Sequence, residues 1–359
     1  MEAIIQLQDV SKEFKVLNRR EGLKGSLQDL FSRDYKIIKA VNNISMDIMP
    51  GEIVGYLGPN GAGKSTTIKM MTGVLKPSSG TILCNNVVPY EKRSENAQNI
   101  GVVFGQRSQL WWALPAIESF KILKDIYQVE DKAYQDMMDL YASMVDMESL
   151  MHKPVRQMSL GQRTLCDILA AFLHNPGVVF LDEPTIGLDV AMKAKIRELV
   201  QTLNKEKNTT VILTTHDMGD VDALCERIVI IDKGTMLYDN DIQHLTELFG
   251  AYRTLSLSLV KSGKDVTEEK MNALVNSVEQ TLCHRFDIQS GQAESGKQEE
   301  MTISVTKNED QIEVLVDESK TNIIDVLNAI QKEHRIYDMH LQEISTESVI
   351  KKIYEGGLV

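Results

Sequence analysis

Gly58-Pro-Asn-Gly-Ala-Gly-Lys-Ser-Thr66 is the stretch of sequence that decides the fold. It follows the apolar, β-branched run Ile53–Leu57, which predicts a strand, and it leads into a helical pattern that ends near Met71. Its spacing fits G-x-x-x-x-G-K-[ST], in which glycines let successive backbone N–H groups surround a phosphate. Lys64 would reach the β/γ-phosphate oxygens, and Ser65 would offer a hydroxyl to Mg²⁺. The stretch therefore predicts a phosphate-binding loop between a strand and a helix.

Two carboxylates, Asp182 and Glu183, end a second apolar run that begins at Val178. The carboxyl ends of parallel strands meet at one edge of a sheet, so we expect this pair to lie beside the phosphate-binding loop. Asp182 suits the holding of Mg²⁺ through water. Glu183, one residue later, suits the orientation or deprotonation of an attacking water. Considered alone, the pair is explained equally well as an acidic cap of the next helix.

Ser159 and Gln162 predict the beginning of a helix, because they have the S-x-x-Q spacing of a capping box. Apolar residues at helical spacing continue from Leu165 to Leu173, and Pro176 limits the helix. A helix N-terminus with a serine and glycine amides attracts anions. A well-capped core helix is the alternative interpretation of the same residues.

The composition indicates a globular protein of two domains, with 359 residues of which 43% are apolar and 25% charged. A net charge of −12 argues against a protein that mainly coats nucleic acid, and we expect no nucleic-acid partner. The four cysteines are widely spaced, which predicts buried free thiols and neither a zinc site nor a redox pair. No apolar run approaches the ~20 residues of a membrane helix. We expect a cytosolic chain whose membrane role comes through a partner.

The organisation along the chain predicts two different domains. Strands alternate with helices over residues 1–248, which is typical of a mostly parallel sheet. Residues 249–359 follow a β-α-β-β-α-β order and predict a small α+β accessory module.

In their order along residues 1 to about 248, these segments resemble the nucleotide-binding subunit of ATP-binding cassette (ABC) transporters. Six motifs carry the resemblance: Walker A (Gly58, Pro59, Asn60, Gly61, Ala62, Gly63, Lys64, Ser65 and Thr66), the Q-loop (Gln106), the signature (Met158, Ser159, Leu160, Gly161 and Gln162), Walker B (Val178–Glu183), the D-loop (Gly187, Leu188 and Asp189) and the switch histidine (His216). The resemblance implies an α/β P-loop NTPase fold, with antiparallel β and helical subdomains beside the parallel core sheet.

The same resemblance implies an ATPase that uses ATP and Mg²⁺. Glu183, His216 and Gln106 would be catalytic, and Ser65, Gln106 and Asp182 would hold the metal. Two copies, or one copy and a related subunit, would form a head-to-tail dimer in which each ATP lies between Walker A of one subunit and the signature of the other. The dimer would drive a polytopic membrane permease from the inner face of the cell membrane.

The signature continues as Ser159-Leu-Gly-Gln-Arg163, and the chain closes with the helical pattern Glu347–Tyr354. Both features resemble those of the type-2 exporter branch, whose members handle drugs, lipids, glycans or dications. A soluble ABC ATPase that acts on ribosomes or nucleic acid is the alternative, but such proteins typically carry two cassettes or a long coiled-coil insertion. A non-hydrolysing regulatory cassette would be favoured by loss of Glu183, which is present.

Three positions depart from the family pattern. Leu160 replaces a usual glycine, and a positive φ there would cost on the order of 1 kcal/mol. An insertion from Leu17 to Asp34 leaves two candidates for stacking on adenine, Phe14 by motif and Tyr35 by position. Gln106 is one residue further along than usual, so Gln109 is a second candidate for the Q-loop.

Trp111 and Trp112 are the only tryptophans of the chain and follow Gln106 by five and six residues. In the family, this segment leads towards the place where a short cytoplasmic helix of the permease docks. Adjacent residues of an extended segment cannot both point inward, so we expect at least one exposed ring that contacts the permease. Packing of both rings into the helical subdomain is the alternative.

Overall fold

The computed structural model describes residues 2–17, 35–105, 107–248, 252–260, 268–286, 303–308, 311–343 and 346–354. The chain divides into two compact units, Met1–Ile242 and Gln243–Val359. The division falls six residues before the expected boundary after Leu248. Among the residues described, no helix is both long enough and apolar enough to cross a membrane.

A six-stranded sheet forms the centre of the first unit. Its strands in spatial order are β5 (Ile100–Phe104), β6 (Val178–Asp182), β7 (Thr210–Thr214), β3 (Ile53–Leu57), β8 (Arg227–Asp232) and β9 (Thr235–Asp241). Neighbouring strands are parallel except for β8 and β9, which confirms the mostly parallel sheet. The inner strands are almost wholly apolar because helices cover both faces of such a sheet. Their carboxyl ends bring the segments after Leu57, Asp182 and Thr214 to the same edge.

A three-stranded antiparallel sheet lies beside it in the order β2 (Tyr35–Ile48), β1 (Ile5–Leu17) and β4 (Ser79–Cys84). Buried residues of this sheet share one hydrophobic core with the central sheet, for example Ile5 and Ile44 with Val54 and Phe180. This confirms the antiparallel β subdomain.

The helices of the first unit follow the expected pattern. They are α1 (Lys64–Met71), α2 (Arg93–Gln98), α3 (Ala116–Ile126), α4 (Asp131–Met144), α5 (Met147–Met151), α6 (Leu160–Phe172), α7 (Val190–Lys207) and α8 (Met218–Leu224). The run α3–α6 contains no strand and forms the predicted helical subdomain. The phenol of Tyr141 on α4 donates a hydrogen bond to the Leu169 carbonyl on α6 at 2.7 Å, which joins two of these helices.

The second unit has the predicted β-α-β-β-α-β order. After α9 (Ile242–Leu248) come β10 (Tyr252–Ser258), α10 (Glu268–Phe286), β11 (Ile303–Asn308), β12 (Gln311–Asp317), α11 (Ile323–Glu333), β13 (Asp338–Glu343) and α12 (Thr346–Tyr354). The sheet has the order β11-β12-β10-β13, and each pair is antiparallel. Leu255 and Leu257 of β10 pack with Val278 of α10 and Val326 of α11 in a core of its own.

All four cysteines are free. Cys84, Cys166 and Cys225 are buried and Cys283 is partly buried, which confirms the prediction for three of the four. Burial raises the pKa of Cys84 and of Cys166 to about 12.

Candidate active site

The loop between β3 and α1 has the backbone geometry that a phosphate requires. Gly63 has φ of 112°, and a Cβ at that residue would lie 2.5 Å from the carbonyl oxygen of Ala40, so only glycine fits. Gly61 has φ of 84°, and no atom beyond Gly61 and its two chain neighbours lies within 4 Å of the position that its Cβ would occupy. This open space beside the N-terminus of α1 fits the close approach of phosphate oxygens to backbone N–H groups.

Lys64 is a buried cation on this loop. Its Nζ donates hydrogen bonds to the carbonyl oxygens of Gly58 at 2.5 Å and Pro59 at 3.3 Å. Burial lowers the pKa of Lys64, whereas the charges of Glu183 and Asp182 raise it. The lysine therefore lies within electrostatic reach of both carboxylates.

Asp182 is the last residue of β6 and pairs with Thr214 of β7. The Thr214 hydroxyl donates to Asp182 Oδ1 at 2.5 Å, which fixes the carboxylate at the carboxyl edge of the sheet. Ser65, at the start of α1, is exposed. A carboxylate and a hydroxyl are the hard oxygen donors that Mg²⁺ prefers, so these two residues fit the metal.

Glu183 and His216 are in direct contact. Glu183 Oε1 lies 3.0 Å from His216 Nε2, and both side chains are partly open to solvent. Glu183 has a φ of 52°, which is unusual for a residue with a side chain, and its N–H donates to the Thr214 carbonyl at 2.9 Å. The ends of two neighbouring strands thus bring together a carboxylate and an imidazole that can exchange a proton.

Gln106 lies outside the described residues, and its role stays a prediction. Gln109, the second candidate, has its side chain engaged elsewhere, because its Nε2 donates to the carbonyl of Asp167 on α6 at 2.9 Å. The backbone N–H of Gln109 and the hydroxyl of Ser108 both donate to Asp167 Oδ1, at 3.0 and 2.9 Å. Helix α6 therefore fixes the segment that follows Gln106.

Asp167 is a residue that the sequence analysis missed. Burial raises the pKa of its carboxyl to about 6, against the opposing hydrogen bonds from Ser108 and Gln109. The available signal was an acidic residue in the apolar stripe of α6, between Cys166 and Ile168.

Phe14 and Tyr35 are both exposed, but they lie on opposite faces of the β1–β2 pair. Directly paired residues share a face, and Lys12, two residues before Phe14, pairs with Val41. Val41 Cγ2 would lie 3.5 Å from a Cβ on Gly63. Phe14 therefore lies on the face that contacts the phosphate-binding loop, whereas Tyr35 does not.

The signature forms the predicted capping box at the start of α6. The Ser159 hydroxyl accepts from the Gln162 N–H, and Gln162 Oε1 accepts from the Ser159 N–H, both at 3.2 Å. Leu160 is the first residue of α6 and is not among the residues with positive φ, so the backbone strain considered for leucine does not occur. A Cβ on Gly161 would lie 2.6 Å from Met192 Cγ on α7. No hydrogen bond among the described residues joins the signature to Walker A.

Asp189 of the D-loop caps α7, because its Oδ1 accepts a hydrogen bond from the Met192 N–H at 2.9 Å. Gly187, two residues earlier, has φ of 74° and lies beside Leu160. The D-loop and the signature of one chain are therefore neighbours.

Both tryptophans are at the surface. Trp111 is 39% exposed and Trp112 is 55% exposed, so the prediction of at least one exposed ring is confirmed and the packing of both rings into the core is wrong. The guanidinium of Arg163 on α6 lies 5.5 Å from the Trp112 ring centroid. The backbone N–H of Trp111 donates to the Ser119 hydroxyl at 3.0 Å. Their contact with a permease stays a prediction.

The family model described as "ABC transporter" matches residues 41–186, which include Walker A, the signature and Walker B. The ABC transporter ATP-binding protein NatA of Bacillus subtilis is 32% identical over 217 residues, which are 60% of this chain and 88% of that protein. The chain belongs to the ABC transporter ATP-binding proteins. It is accordingly an ATPase that uses ATP with Mg²⁺, built on the P-loop NTPase fold.

Two further relatives extend the comparison of this ABC ATPase. ABC transporter A family member 6 of Dictyostelium discoideum is 32% identical over 250 residues, which are 69% of this chain but 15% of that protein. The dimeric post-hydrolysis structure of the ATP-binding cassette MJ0796, bound to ADP and Pi, is 25% identical with a TM-score of 0.53. That match covers 66% of this chain and 98% of the cassette. The relatives therefore align with about two thirds of the present chain.

Proposed function

We propose that this ABC ATPase is a subunit that dimerises head-to-tail around two ATP molecules and energises the export of a substrate through a separate membrane permease. The observation that carries the proposal is the 3.0 Å contact between Glu183 and His216, beside Asp182 and within reach of the Lys64 charge. A site with this arrangement holds a phosphate chain and activates water next to it.

In this proposal, the N–H groups of the Walker A loop and Lys64 bind the β- and γ-phosphates of ATP. Ser65 and Asp182 would hold Mg²⁺, which would supply neutralising charge beside the phosphate oxygens. Glu183 accepts a proton from the attacking water, and His216 orients the Glu183 carboxylate and the γ-phosphate. Phe14 stacks on the adenine, and Gln106 contacts the γ-phosphate and would contact the metal.

The dimer is supported by the placement of the signature. Ser159 and Leu160 are exposed at the N-terminus of α6, where the helix dipole favours an anion. A second chain that presents its Walker A loop to this N-terminus would complete both ATP sites. The MJ0796 cassette, which is similar over the same region, forms a dimer.

Export through a separate permease is supported by two observations. The signature form S-L-G-Q-R and the A-family relatives favour the type-2 exporter branch. The exposed Trp111 and Trp112 offer an aromatic surface of the kind that is enriched at interface hot spots. In this proposal the subunit lies at the inner face of the membrane and binds the permease there.

The test uses Glu183→Gln, which keeps the shape of the side chain and removes the base. With ATP and Mg²⁺, the variant should bind nucleotide normally, keep only a small residual turnover and elute as a dimer in gel filtration with light scattering. Lys64→Ala should lose hydrolysis and remain a monomer under the same conditions. Wild-type turnover by Glu183→Gln would contradict the assignment of Glu183 as the catalytic base. A variant that stays monomeric with ATP bound would contradict the proposed dimer around two ATP molecules.

A further inference from the structure

Asp220 is a carboxylate on α8 that is fully buried and that the chemistry above does not use. Its Oδ2 accepts hydrogen bonds from the hydroxyls of Thr185 and Thr215, the second at 3.0 Å. Its Oδ1 accepts a hydrogen bond from Nε of Arg197 at 2.7 Å, and an Nη of the same guanidinium lies 2.7 Å from it as an ion pair. Three hydrogen bonds and this ion pair surround the buried carboxylate, which is how a protein satisfies such a group away from water.

The donors come from three segments that carry motif residues. Thr185 follows Glu183 by two residues, and Thr215 directly precedes His216. Arg197 lies on α7, the helix that begins after Asp189. One buried carboxylate therefore joins the Glu183 turn, the end of β7 and the helix of the D-loop.

The backbone conformation of Glu183 depends on the hydrogen bonds that Asp220 accepts. Its φ of 52° is an uncommon conformation that persists only when its surroundings determine it. On one side, the Glu183 N–H is bonded to the Thr214 carbonyl. On the other side, the Leu188 N–H donates to the Thr185 carbonyl at 3.2 Å, while the Thr185 hydroxyl is bonded to Asp220. The direction of the Glu183 side chain therefore depends on where Asp220 holds Thr185.

We propose that Asp220, oriented by Arg197, is a positioning residue that sets the contact between Glu183 and His216 for hydrolysis. It touches neither ATP nor water, and it acts by fixing Thr185 and Thr215. The inference rests on the roles of Glu183 and His216 given under the proposed function.

The test compares Thr185→Val, which removes the hydroxyl and nearly keeps the shape, with Thr185→Ser, which keeps the hydroxyl. We expect Thr185→Val to lower kcat by about 10- to 100-fold, as for a misplaced catalytic group, with the Kd for ATP within about twofold of wild type. Thr185→Ser should restore kcat to near the wild-type value. Asp220→Asn should behave as Thr185→Val does, because an amide has one acceptor oxygen in place of two and cannot accept all three hydrogen bonds.

Asp217→Asn is the matched control. Asp217 is the N-cap of α8, the helix that contains Asp220, and it also contacts Arg197, at 3.4 Å. Unlike Asp220, it is partly exposed, and it forms an ion pair with Lys193 at 2.5 Å. Asparagine caps helices as well as aspartate does, so this variant should keep most of the wild-type kcat.

A double-mutant cycle separates positioning from general damage. In the Glu183→Gln background, Thr185→Val should cause no further loss of residual turnover, because the group that it positions is already gone. Additive losses, unchanged kcat in Thr185→Val, or a parallel fall in nucleotide binding and melting temperature would each overturn the proposal. If Asp220→Asn does not fold, the two Thr185 variants decide the question. Wild-type turnover by Glu183→Gln alone would instead contradict the proposed function.

Discussion

Asp167 is a buried carboxyl whose pKa is raised to about 6, mainly by desolvation, from 3.8. In the folded chain it therefore keeps a proton in a pH range where the unfolded chain has released it. The stability that this proton contributes is fully present below pH 4 and is lost as pH rises through 6. A shift of about two pKa units corresponds to about 3 kcal/mol.

Asp167→Asn should remove this pH dependence. The amide oxygen can still accept from Ser108 and the Gln109 N–H, which share one oxygen of the native side chain. The free energy of unfolding in urea should therefore fall between pH 4.5 and 7.5 by about 2 kcal/mol more in the wild type than in the variant. Equal pH dependence of the two proteins would show that Asp167 is ionised throughout.

Helix α6 packs against α7 where Gly161 faces Met192, and a methyl group on Gly161 requires the Met192 side chain to shift. Gly161→Ala should therefore destabilise the chain by about 1 kcal/mol, at the low end of overpacking, because the partly buried Met192 side chain can move. Met192→Ala opens the space, so the double variant should recover most of the loss. Thermal unfolding of the four proteins measures the coupling, and simple additivity would contradict a direct clash.

At the scale of elements, local patterns in the sequence were enough to predict α6, β3, β6 and the β-α-β-β-α-β order of the second unit. The capping box of Ser159 and Gln162 involves residues three apart, so it is visible in the sequence. The contact between Ser108 and Asp167 joins residues 59 apart, and no periodicity indicates it.

The faces of the sheet on which Phe14 and Tyr35 lie could not be predicted without knowing how β1 pairs with β2. A register shift between Lys12 and Glu13 changes which β2 residues share a face with Phe14. Such an irregularity depends on how the sheet packs against the phosphate-binding loop, and not on the β1 or β2 sequence alone. The network around Asp220 was missed for the same reason, because its members come from four segments.

For the whole molecule, Trp111 and Trp112 report on the surface where we expect the permease. Because both rings are exposed, the isolated subunit should show red-shifted tryptophan emission that acrylamide quenches. Replacing both with alanine should leave ATPase activity and the melting temperature nearly unchanged, as expected for surface residues, and should abolish stimulation by the permease.

Replacement of both tryptophans by phenylalanine is the matched control, since it keeps an aromatic surface and should retain part of the coupling. Blue-shifted emission that acrylamide does not quench would contradict exposure. A loss of about 3–5 kcal/mol in the alanine variant would indicate core packing instead.

The burial of three of the four thiols has a practical consequence for chemical labelling. With pKa values of about 12, Cys84 and Cys166 hold roughly one thiolate per 10⁵ molecules at pH 7, and the thiolate is the species that alkylating reagents attack. A cysteine introduced on the open surface near Ser159 would react far faster than either. A variant with one added cysteine can therefore carry a spectroscopic probe of the proposed dimer without replacement of Cys84 or Cys166.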